Sequence, residues 1–377
     1  MKIRKIALYH LRTPLRIQFA QANQKTQQAD SVIVRLETAK GNSGYGEACP
    51  RTYVTGESAS TLIETLRREG KDILAAPFSS LTDIEQWSAH QLSEGQGPAL
   101  VCALELALLD AWSKEYQRDL KKELGGQRNQ SEISYSGVLP FGKWSSLKPI
   151  VASFQFKTWK FKAAARTPDN VQRISELRSV VGDGTPIRMD ANGGWSYEQA
   201  REQIGAAIQQ NIYAVEQPLA AGEDHQSAAL LEEFGADVRI MADESLCTFE
   251  DAQRLIASKA CNHFSLKLSK NGGIFSALRI YRLALENGLL CQMSAHYGET
   301  SILSAAGLLF ASVASELTAC EGALGTFLLR EDLTKNPIMV DQSGIVPGAE
   351  LSYVGWPVTV DELSLNRNSV RTEAWEI

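Results

Sequence analysis

Three short apolar runs, each ending in an acidic residue, decide the fold of this 377-residue chain. The runs are Ile187-Arg188-Met189-Asp190, Ile212-Tyr213-Ala214-Val215-Glu216 and Arg239-Ile240-Met241-Ala242-Asp243. About one β/α unit separates each run from the next, as in parallel strands that alternate with helices. Neighbouring strands lie ~4.8 Å apart, so the carboxylates of Asp190, Glu216 and Asp243 can converge on one point.

The same alternation of apolar runs and helical segments extends in both directions. It predicts eight strands, at 133–138, 156–162, 187–190, 212–216, 239–243, 263–268, 290–293 and 317–321. Eight strands separated by helices are typical of a β/α barrel, whose active site lies at the carboxyl ends of the strands. Before the barrel, apolar and polar residues alternate from Ile3 to about Glu47, and helical periodicity follows over 58–125. This order indicates a compact α+β domain.

We therefore predict an α/β protein in three parts. Residues 1–125 form the α+β domain, residues 126–350 form the barrel, and residues 351–377 form a tail that packs on the first domain.

Composition and charge argue against several classes of partner. There are 38 Lys and Arg residues against 44 Asp and Glu residues, a net charge of -6, and no basic block. Nucleic acids and acidic membranes are therefore poor partners. The charged start of the chain, Met1 to Ala7, lacks the unbroken apolar run of an export signal. The most apolar stretch, 301–315, is shorter than the ~20 residues that span a bilayer, so we predict a buried helix there.

The six cysteines are scattered and form no C-x-x-C pair. A chain of this length has no need of a disulfide framework. We therefore expect reduced thiols and a cytoplasmic location.

The three strand-end carboxylates suggest a metal site. Left unpaired in a barrel mouth of low dielectric constant, they would repel one another and have raised pKa values. A divalent cation removes this repulsion, and ligation by oxygen atoms alone favours Mg²⁺. The alternative is that Asp190, Glu216 and Asp243 are unrelated acids that cap the helices after their strands.

Two strands also carry lysines that face the barrel interior. A period of two directs Lys160 and Lys162 inward on the second strand and Lys267 inward on the sixth. Two neighbouring ammonium groups depress each other's pKa, which suits a general base. The second and sixth strands are opposite each other in an eight-stranded barrel, so Lys162 and Lys267 would face each other across the mouth. The alternative for each lysine is a solvated strand end.

This set of residues suits removal of a proton next to a carboxylate. A cation bound to the substrate carboxylate takes up the charge that develops as the proton leaves. A lysine on each face allows removal from one side and return from the other.

Five motifs occur in order along the barrel and resemble those of the enolase superfamily, in particular its muconate lactonizing enzyme subgroup. They are Lys160-Phe161-Lys162, Met189-Asp190-Ala191-Asn192-Gly193-Gly194-Trp195, Val215-Glu216-Gln217-Pro218, Ala242-Asp243-Glu244-Ser245 and Leu266-Lys267-Leu268-Ser269-Lys270-Asn271-Gly272-Gly273.

The resemblance implies a modified (β/α)7β TIM barrel with an N-terminal α+β capping domain. It implies Mg²⁺ ligands, which are Asp190, Glu216 and Asp243. It also implies that Lys162 and Lys267 are the acid/base groups and that Lys160 holds the substrate carboxylate and tunes Lys162. A lysine or histidine base with Mg²⁺ that stabilises an enediolate is the known chemistry of this superfamily.

The resemblance also suggests which residues contact the distal part of the substrate. Two loops of the capping domain would do so, one between about 15 and 29 that contains Phe19, and one at 51–56 that contains Tyr53. Dipeptide epimerases of the subgroup carry two acids on the eighth strand, but here Glu321 is a single carboxylate, which puts a dipeptide substrate in doubt. Glu321 could still bind an amine or support the electrophilic end of the site. His296 would shape the substrate pocket, and packing alone is the alternative.

We therefore predict a Mg²⁺-dependent isomerase that acts on a small-molecule carboxylate. Racemisation or epimerisation is the first reading and cycloisomerisation is close behind. The alternatives are a dehydratase of the o-succinylbenzoate synthase kind and a non-catalytic binding protein that retains the barrel site. A symmetric homo-oligomer is the default expectation for the assembly.

Overall fold

The computed structural model describes residues 1–21, 24–126, 132–322, 327–346 and 352–377, with only the backbone at 17–21, 24–25 and 73. Within these ranges the chain forms a four-stranded antiparallel sheet, an eight-stranded parallel sheet and a two-stranded sheet. No helix in these ranges is long and apolar enough to cross a membrane.

The antiparallel sheet joins both ends of the chain. Its strands are β1 (Ile3–Gln21), β2 (Gln24–Thr38), β3 (Ser43–Ala48) and β14 (Ser369–Glu376), in the order β14-β1-β2-β3. The last strand pairs with the first from Lys5 opposite Glu376 to Leu11 opposite Ser369. The C-terminal segment is therefore part of the first sheet.

The helices after β3 pack this sheet against the barrel. They are α1 (Ala59–Ile73), α2 (Leu81–Ser93), α3 (Pro98–Tyr116) and α4 (Leu120–Glu123). Helix α3 is buried on every side from Ala99 to Ser113, as expected for a helix that is apolar all round. It approaches β3 so closely that a Cβ atom at Gly46 would overlap the carbonyl oxygen of Ala103, which is why β3 needs glycine there.

The parallel strands follow one another around a barrel. They are β5 (Gly137–Leu139), β6 (Trp159–Lys162), β7 (Ile187–Asp190), β8 (Ile212–Glu216), β9 (Arg239–Ala242), β10 (His263–Leu266), β11 (Leu290–Met293) and β12 (Leu317–Cys320). A parallel bridge between Tyr135 and Cys320 joins the two edges, and the Ser136 N–H donates to the Cys320 carbonyl at 2.7 Å. The predicted α/β class, with a barrel and a separate antiparallel unit, is confirmed.

The prediction for the first barrel strand was wrong in its first half. The segment β4 (Ile133–Ser134) pairs antiparallel with β13 (Ile345–Val346), and the parallel strand begins only at Gly137. Ile133 and Val346 are both buried in the main core. Apolar residues of a short antiparallel pair therefore gave the same pattern as a barrel strand.

Helices cover the outside of the barrel. They are α5 (Trp144–Ala152), α6 (Thr167–Val181), α7 (Tyr197–Gln209), α8 (Asp224–Phe234), α9 (Phe249–Ala257), α10 (Ile274–Glu286) and α11 (Ser301–Val313), and α12 (Glu362–Asn368) precedes β14. Helix α11 is buried from Ser301 to Ser312, as predicted. All six cysteines are free thiols, and five are buried.

Candidate active site

The three predicted acids lie at adjacent strand ends. Asp190 ends β7 and pairs in register with Glu216 at the end of β8. Glu216 in turn is opposite Met241 of β9, so Asp243 lies two residues beyond that level. All three carboxylates are buried. Parallel pairing therefore brings them to one end of the barrel, as the strand pattern indicated.

Both lysines of β6 reach these acids. The Lys160 ammonium lies 3.3 Å from Asp190 Oδ2 and 3.3 Å from Glu216 Oε2. The Lys162 ammonium donates to Asp190 Oδ2 at 2.7 Å and to Asn192 Oδ1 at 2.9 Å. One carboxylate thus interacts with both lysines.

Asp243 has a separate pair of lysines. Lys267 donates to Asp243 Oδ2 at 2.5 Å, and Lys270 donates to Asp243 Oδ1 at 2.8 Å. Lys270 also donates to the carbonyl of Ser265 at 3.0 Å, which fixes it in the turn after β10. Lys162 and Lys267 therefore form ion pairs with different acids. Strand β8 lies between β7, which ends at Asp190, and β9, which precedes Asp243.

The electrostatics differ from the sequence-based expectation. Burial alone would raise the pKa of Asp190, but the charges of Lys162 and Lys160 lower it below its usual value. Burial alone would lower the pKa of Lys160, but Glu216 and Asp190 raise it. The expected mutual depression of the lysine pKa values was wrong for Lys160, because attraction by the carboxylates outweighs repulsion between ammonium groups.

Burial and ion pairing also have opposite effects on the pKa values of Asp243 and Lys267. Burial would raise the pKa of Asp243, but Lys267 and Lys270 hold it well below its usual value. Burial would lower the pKa of Lys267, but Asp243 and then Glu244 raise it.

Arg188 is a member of the site that the sequence analysis missed. It is fully buried on β7, forms an ion pair with Glu321 and lies 3.6 Å from Glu216. Its other terminal nitrogen donates to the Tyr213 hydroxyl at 3.0 Å. A period of two places residues 188 and 190 on the same face, so the pattern that located Asp190 could also have located Arg188.

Asn192 and Glu244 extend the site beyond the strand ends. Asn192 Nδ2 donates to Glu244 Oε1 at 3.0 Å, while its oxygen accepts from Lys162. Burial, and then the charge of Asp243, raises the pKa of Glu244 to about 7. Both residues are in the quoted motifs, but nothing in their spacing assigned them a contact.

A cavity of about 300 Å³ opens beside these residues. Lys160, Lys162, Glu321 and His296 line its polar end. Apolar residues line the remainder, chiefly Val138, Leu139, Leu147, Ile150, Val151, Phe154, Phe156, Trp159, Phe327 and Leu328. The cavity therefore joins predicted site residues to a mainly apolar space.

Two of the predicted substrate-binding residues, Tyr53 and Phe19, belong to the capping loops. Tyr53 is 49% exposed and is not among the described residues that line the cavity. The backbone of Phe19 pairs with Thr26 in the first sheet, but its side chain lies outside the described residues. Their contacts with a substrate stay predictions.

The donor chemistry of the site fits Mg²⁺. Asp190, Glu216 and Asp243 offer buried carboxylate oxygens, the hard ligands that this ion prefers. In the parts of the chain that the structure describes, no three His, Cys, Asp or Glu side chains are grouped closely enough to hold a metal ion. Ammonium groups contact the oxygens of all three acids, so a cation would compete with them.

Comparison with known proteins identifies the family. Residues 146–362 match the family model described as Enolase C-terminal domain-like. The D-Ala-D/L-Ala epimerase of Cytophaga hutchinsonii is 31% identical over 89% of this chain and 90% of its own length. The chain belongs to the enolase superfamily.

Solved structures agree with this assignment to the enolase superfamily. The N-succinyl Arg/Lys racemase from Bacillus cereus superimposes with a TM-score of 0.86 at 26% identity and covers 100% of both chains. A dipeptide epimerase from Cytophaga hutchinsonii, crystallised with Mg and the dipeptide D-Ala-L-Val, gives 0.85 at 27% identity over 99% of this chain and 100% of its own. These relatives are racemases and epimerases, so this enolase superfamily member is an isomerase, as predicted.

Proposed function

We propose that the chain is a Mg²⁺-dependent racemase or epimerase that removes the α-proton of a small carboxylate substrate. The observation that carries this proposal is the pairing of two buried lysines with two different acids, Lys162 with Asp190 and Lys267 with Asp243. Inversion needs one base to remove a proton and another to return it from the opposite face. A cycloisomerisation needs a single proton transfer, so two lysines favour racemisation or epimerisation.

The three strand-end acids, Asp190, Glu216 and Asp243, would hold the ion. When bound, Mg²⁺ supplies positive charge that stabilises the negative charge developing on the substrate carboxylate.

Ion pairing explains how a lysine in this site could become a base. The carboxylate of Asp243 is the strongest influence that raises the pKa of Lys267. With a cation at Asp243, the Lys267 ammonium would lose part of that stabilisation and would give up its proton more readily. The neutral Nζ atom can then accept the α-proton.

Lys160 is suited to hold the substrate carboxylate. Its ammonium lies in the cavity wall, between the carboxylates of Asp190, Glu216 and Glu321. Burial would lower the pKa of Lys160, but the charges of Glu216 and Asp190 raise it, so Lys160 stays protonated and attracts an anion.

We further propose the division of the chain into domains at 1–125 and 126–350, with the tail 351–377 on the first domain. The pairing of β14 with β1 supports the position of the tail. Six free cysteines support a cytoplasmic location. A symmetric homo-oligomer remains the default assembly.

Proton NMR in D₂O tests the reaction. The purified chain with Mg²⁺ is incubated with N-acylamino acids, dipeptides and hydroxy acids, and the α-proton signal is followed. We expect loss of the signal together with inversion for at least one compound. No exchange for any compound, with Mg²⁺ binding shown separately, would contradict the proposal and favour the cycloisomerase or dehydratase alternatives.

A further inference from the structure

A small second chamber lies next to the active-site cavity. Its walls include residues of β11, of α11 and of the segment directly after β12. Both spaces are lined by Ala295, Glu321 and Gly322, so they meet at the end of the last barrel strand. The centre of a water molecule can occupy about 10 Å³ of the chamber, which is room for a single molecule.

A buried serine hydroxyl in the chamber wall has no partner. Ser304 lines the chamber from α11 and is 4% exposed. Its Oγ atom has no hydrogen-bond partner in the part of the chain that the structure describes. By contrast, the Ser312 hydroxyl on the same helix donates to the Leu309 carbonyl at 2.7 Å. Because an unpaired buried hydroxyl group is costly, the Ser304 side chain indicates a ligand in the chamber.

The two acids of the chamber wall favour a neutral ligand. Glu299 Oε1 accepts from the His296 N–H at 2.6 Å. Burial raises the pKa of Glu299 to about 8, so at pH 7 this group is a neutral acid that can donate as well as accept. Glu321 forms ion pairs with Lys160 and Arg188. Neither acid therefore has a negative charge to spare for a cation.

The polar wall distinguishes this chamber from a packing defect. Cavities that stay empty in proteins are apolar, whereas a buried water typically makes about three hydrogen bonds to polar groups that lack other partners. Ser304, Glu299 and Glu321 offer that number of groups around a space for one molecule.

We propose that the chamber is a binding site for one internal water molecule, held by Ser304, Glu299 and Glu321. The water connects α11 to the residue that follows β12, and it gives the Glu321 carboxylate a neutral partner that does not replace Lys160. The site is separate from the substrate cavity, and its tests do not depend on the proposed reaction.

Removal of the serine hydroxyl distinguishes a wet chamber from a dry one. In a wet chamber, Ser304→Ala takes a partner from the water, so the equilibrium constant for unfolding in urea should rise about fivefold, the equivalent of one hydrogen bond. The reference is Ser227→Ala on α8, which changes only the helix propensity at a half-buried position. In a dry chamber Ser304→Ala removes an unpaired hydroxyl group. A constant equal to or below that of Ser227→Ala would therefore contradict the inference.

Filling the chamber is the second test. Gly307 lines it from α11, and a Cβ atom there would lie 3.3 Å from Met293 Sδ. Gly307→Ala takes the place of the water and leaves Ser304 unpaired. The control is Gly205→Ala on α7, where a Cβ atom would meet no described atom within 4 Å.

Both glycine variants gain the same helix propensity, so their difference reports on the chamber. The equilibrium constant for unfolding should be at least about fivefold higher for Gly307→Ala than for Gly205→Ala, because groups that were bonded to water lose their partner. An equal or lower constant for Gly307→Ala would show that the methyl group fills a dry space, and the inference would be wrong.

Crystallography locates the ligand directly and is unaffected by strain at Met293. In a map of the wild-type chain that shows ordered water, we expect one peak within hydrogen-bond distance of Ser304 Oγ and of Glu299 or Glu321. The same peak should be missing in Gly307→Ala. A wild-type map that shows other internal waters but none in this chamber would overturn the inference.

Discussion

Glu321 forms an ion pair with Lys160 at 2.8 Å and so joins the end of the last barrel strand to the second. Its other oxygen pairs with the fully buried Arg188. Because Glu321 forms ion pairs with two buried cations, its role is to stabilise Lys160 within the protein.

Replacing Glu321 should therefore affect stability as well as binding. In Glu321→Gln the charges of Lys160 and Arg188 lose a partner, and breaking a buried ion pair from one side costs about 3–5 kcal/mol. We expect the free energy of unfolding in urea to fall by roughly that amount, together with weaker substrate binding.

The control is Glu316→Gln, an exposed glutamate just before β12. It should leave both quantities unchanged. If Glu321→Gln instead kept full stability and lost affinity only for compounds with a free amine, Glu321 would be an ammonium site and not a support for Lys160.

The two proposed bases should be separable by stereochemistry. Lys162→Ala and Lys267→Ala should each abolish racemisation, because inversion needs both. Each variant should still exchange the α-proton of one enantiomer with D₂O, and the two variants should select opposite enantiomers. NMR on the separate L and D compounds measures this directly.

Lys157→Ala provides the matched control, since Lys157 is an exposed lysine just before the same strand. It should retain racemisation of both enantiomers. Full activity in either Lys162→Ala or Lys267→Ala would rule out the two-base mechanism.

The strand-end residues could be predicted because their position depends on local pattern. A period of two and one acid per β/α repeat were enough to place Asp190, Glu216 and Asp243 at one end of the barrel. The ion pairs could not be predicted in the same way. Whether Lys160 is repelled by Lys162 or held by Glu216 depends on distances that a sequence pattern does not contain.

The contact between the rings of Phe154 and Phe327 could not be predicted from the sequence either. Phe327 is far along the chain from Phe154 and reaches it only because β12 returns next to the start of the barrel. The wrong prediction for the strand at Ile133 has a different cause. There the local pattern correctly indicated a strand, but it contained no information on the strand with which the segment pairs.

Mg²⁺ affinity should depend on Asp243. Asp243→Asn removes a charged oxygen donor, and we expect calorimetry to show Mg²⁺ binding at least about tenfold weaker. Lys267 and Lys270 also lose their common partner, so the free energy of unfolding without Mg²⁺ should fall by about 3–5 kcal/mol.

Asp224→Asn serves as the control, because Asp224 begins α8 and pairs with Arg254 at the surface. It should change Mg²⁺ affinity little. Unchanged Mg²⁺ affinity in Asp243→Asn would remove Asp243 from the metal site, whatever its effect on stability.

A buried glutamate of the first sheet should make stability depend on pH. Glu47 on β3 accepts hydrogen bonds from Thr300 N at 2.9 Å and from Leu303 N at 3.1 Å, at the start of α11. Burial raises its pKa to about 7, although the hydrogen bonds oppose this. The folded state thus keeps a proton that the unfolded state has lost, and stability falls as pH rises from about 4.5 to 7.

Glu47→Gln removes this titration, so its free energy of unfolding should fall less steeply over that pH range than that of the wild type. The difference between the two profiles should reach about 3 kcal/mol, the equivalent of the raised pKa. Urea unfolding at several pH values measures it, and Glu232→Gln at an exposed position of α8 should reproduce the wild-type slope. Parallel profiles for Glu47→Gln and the wild type would show that Glu47 stays ionised in the folded chain, because its hydrogen bonds to α11 then outweigh its burial.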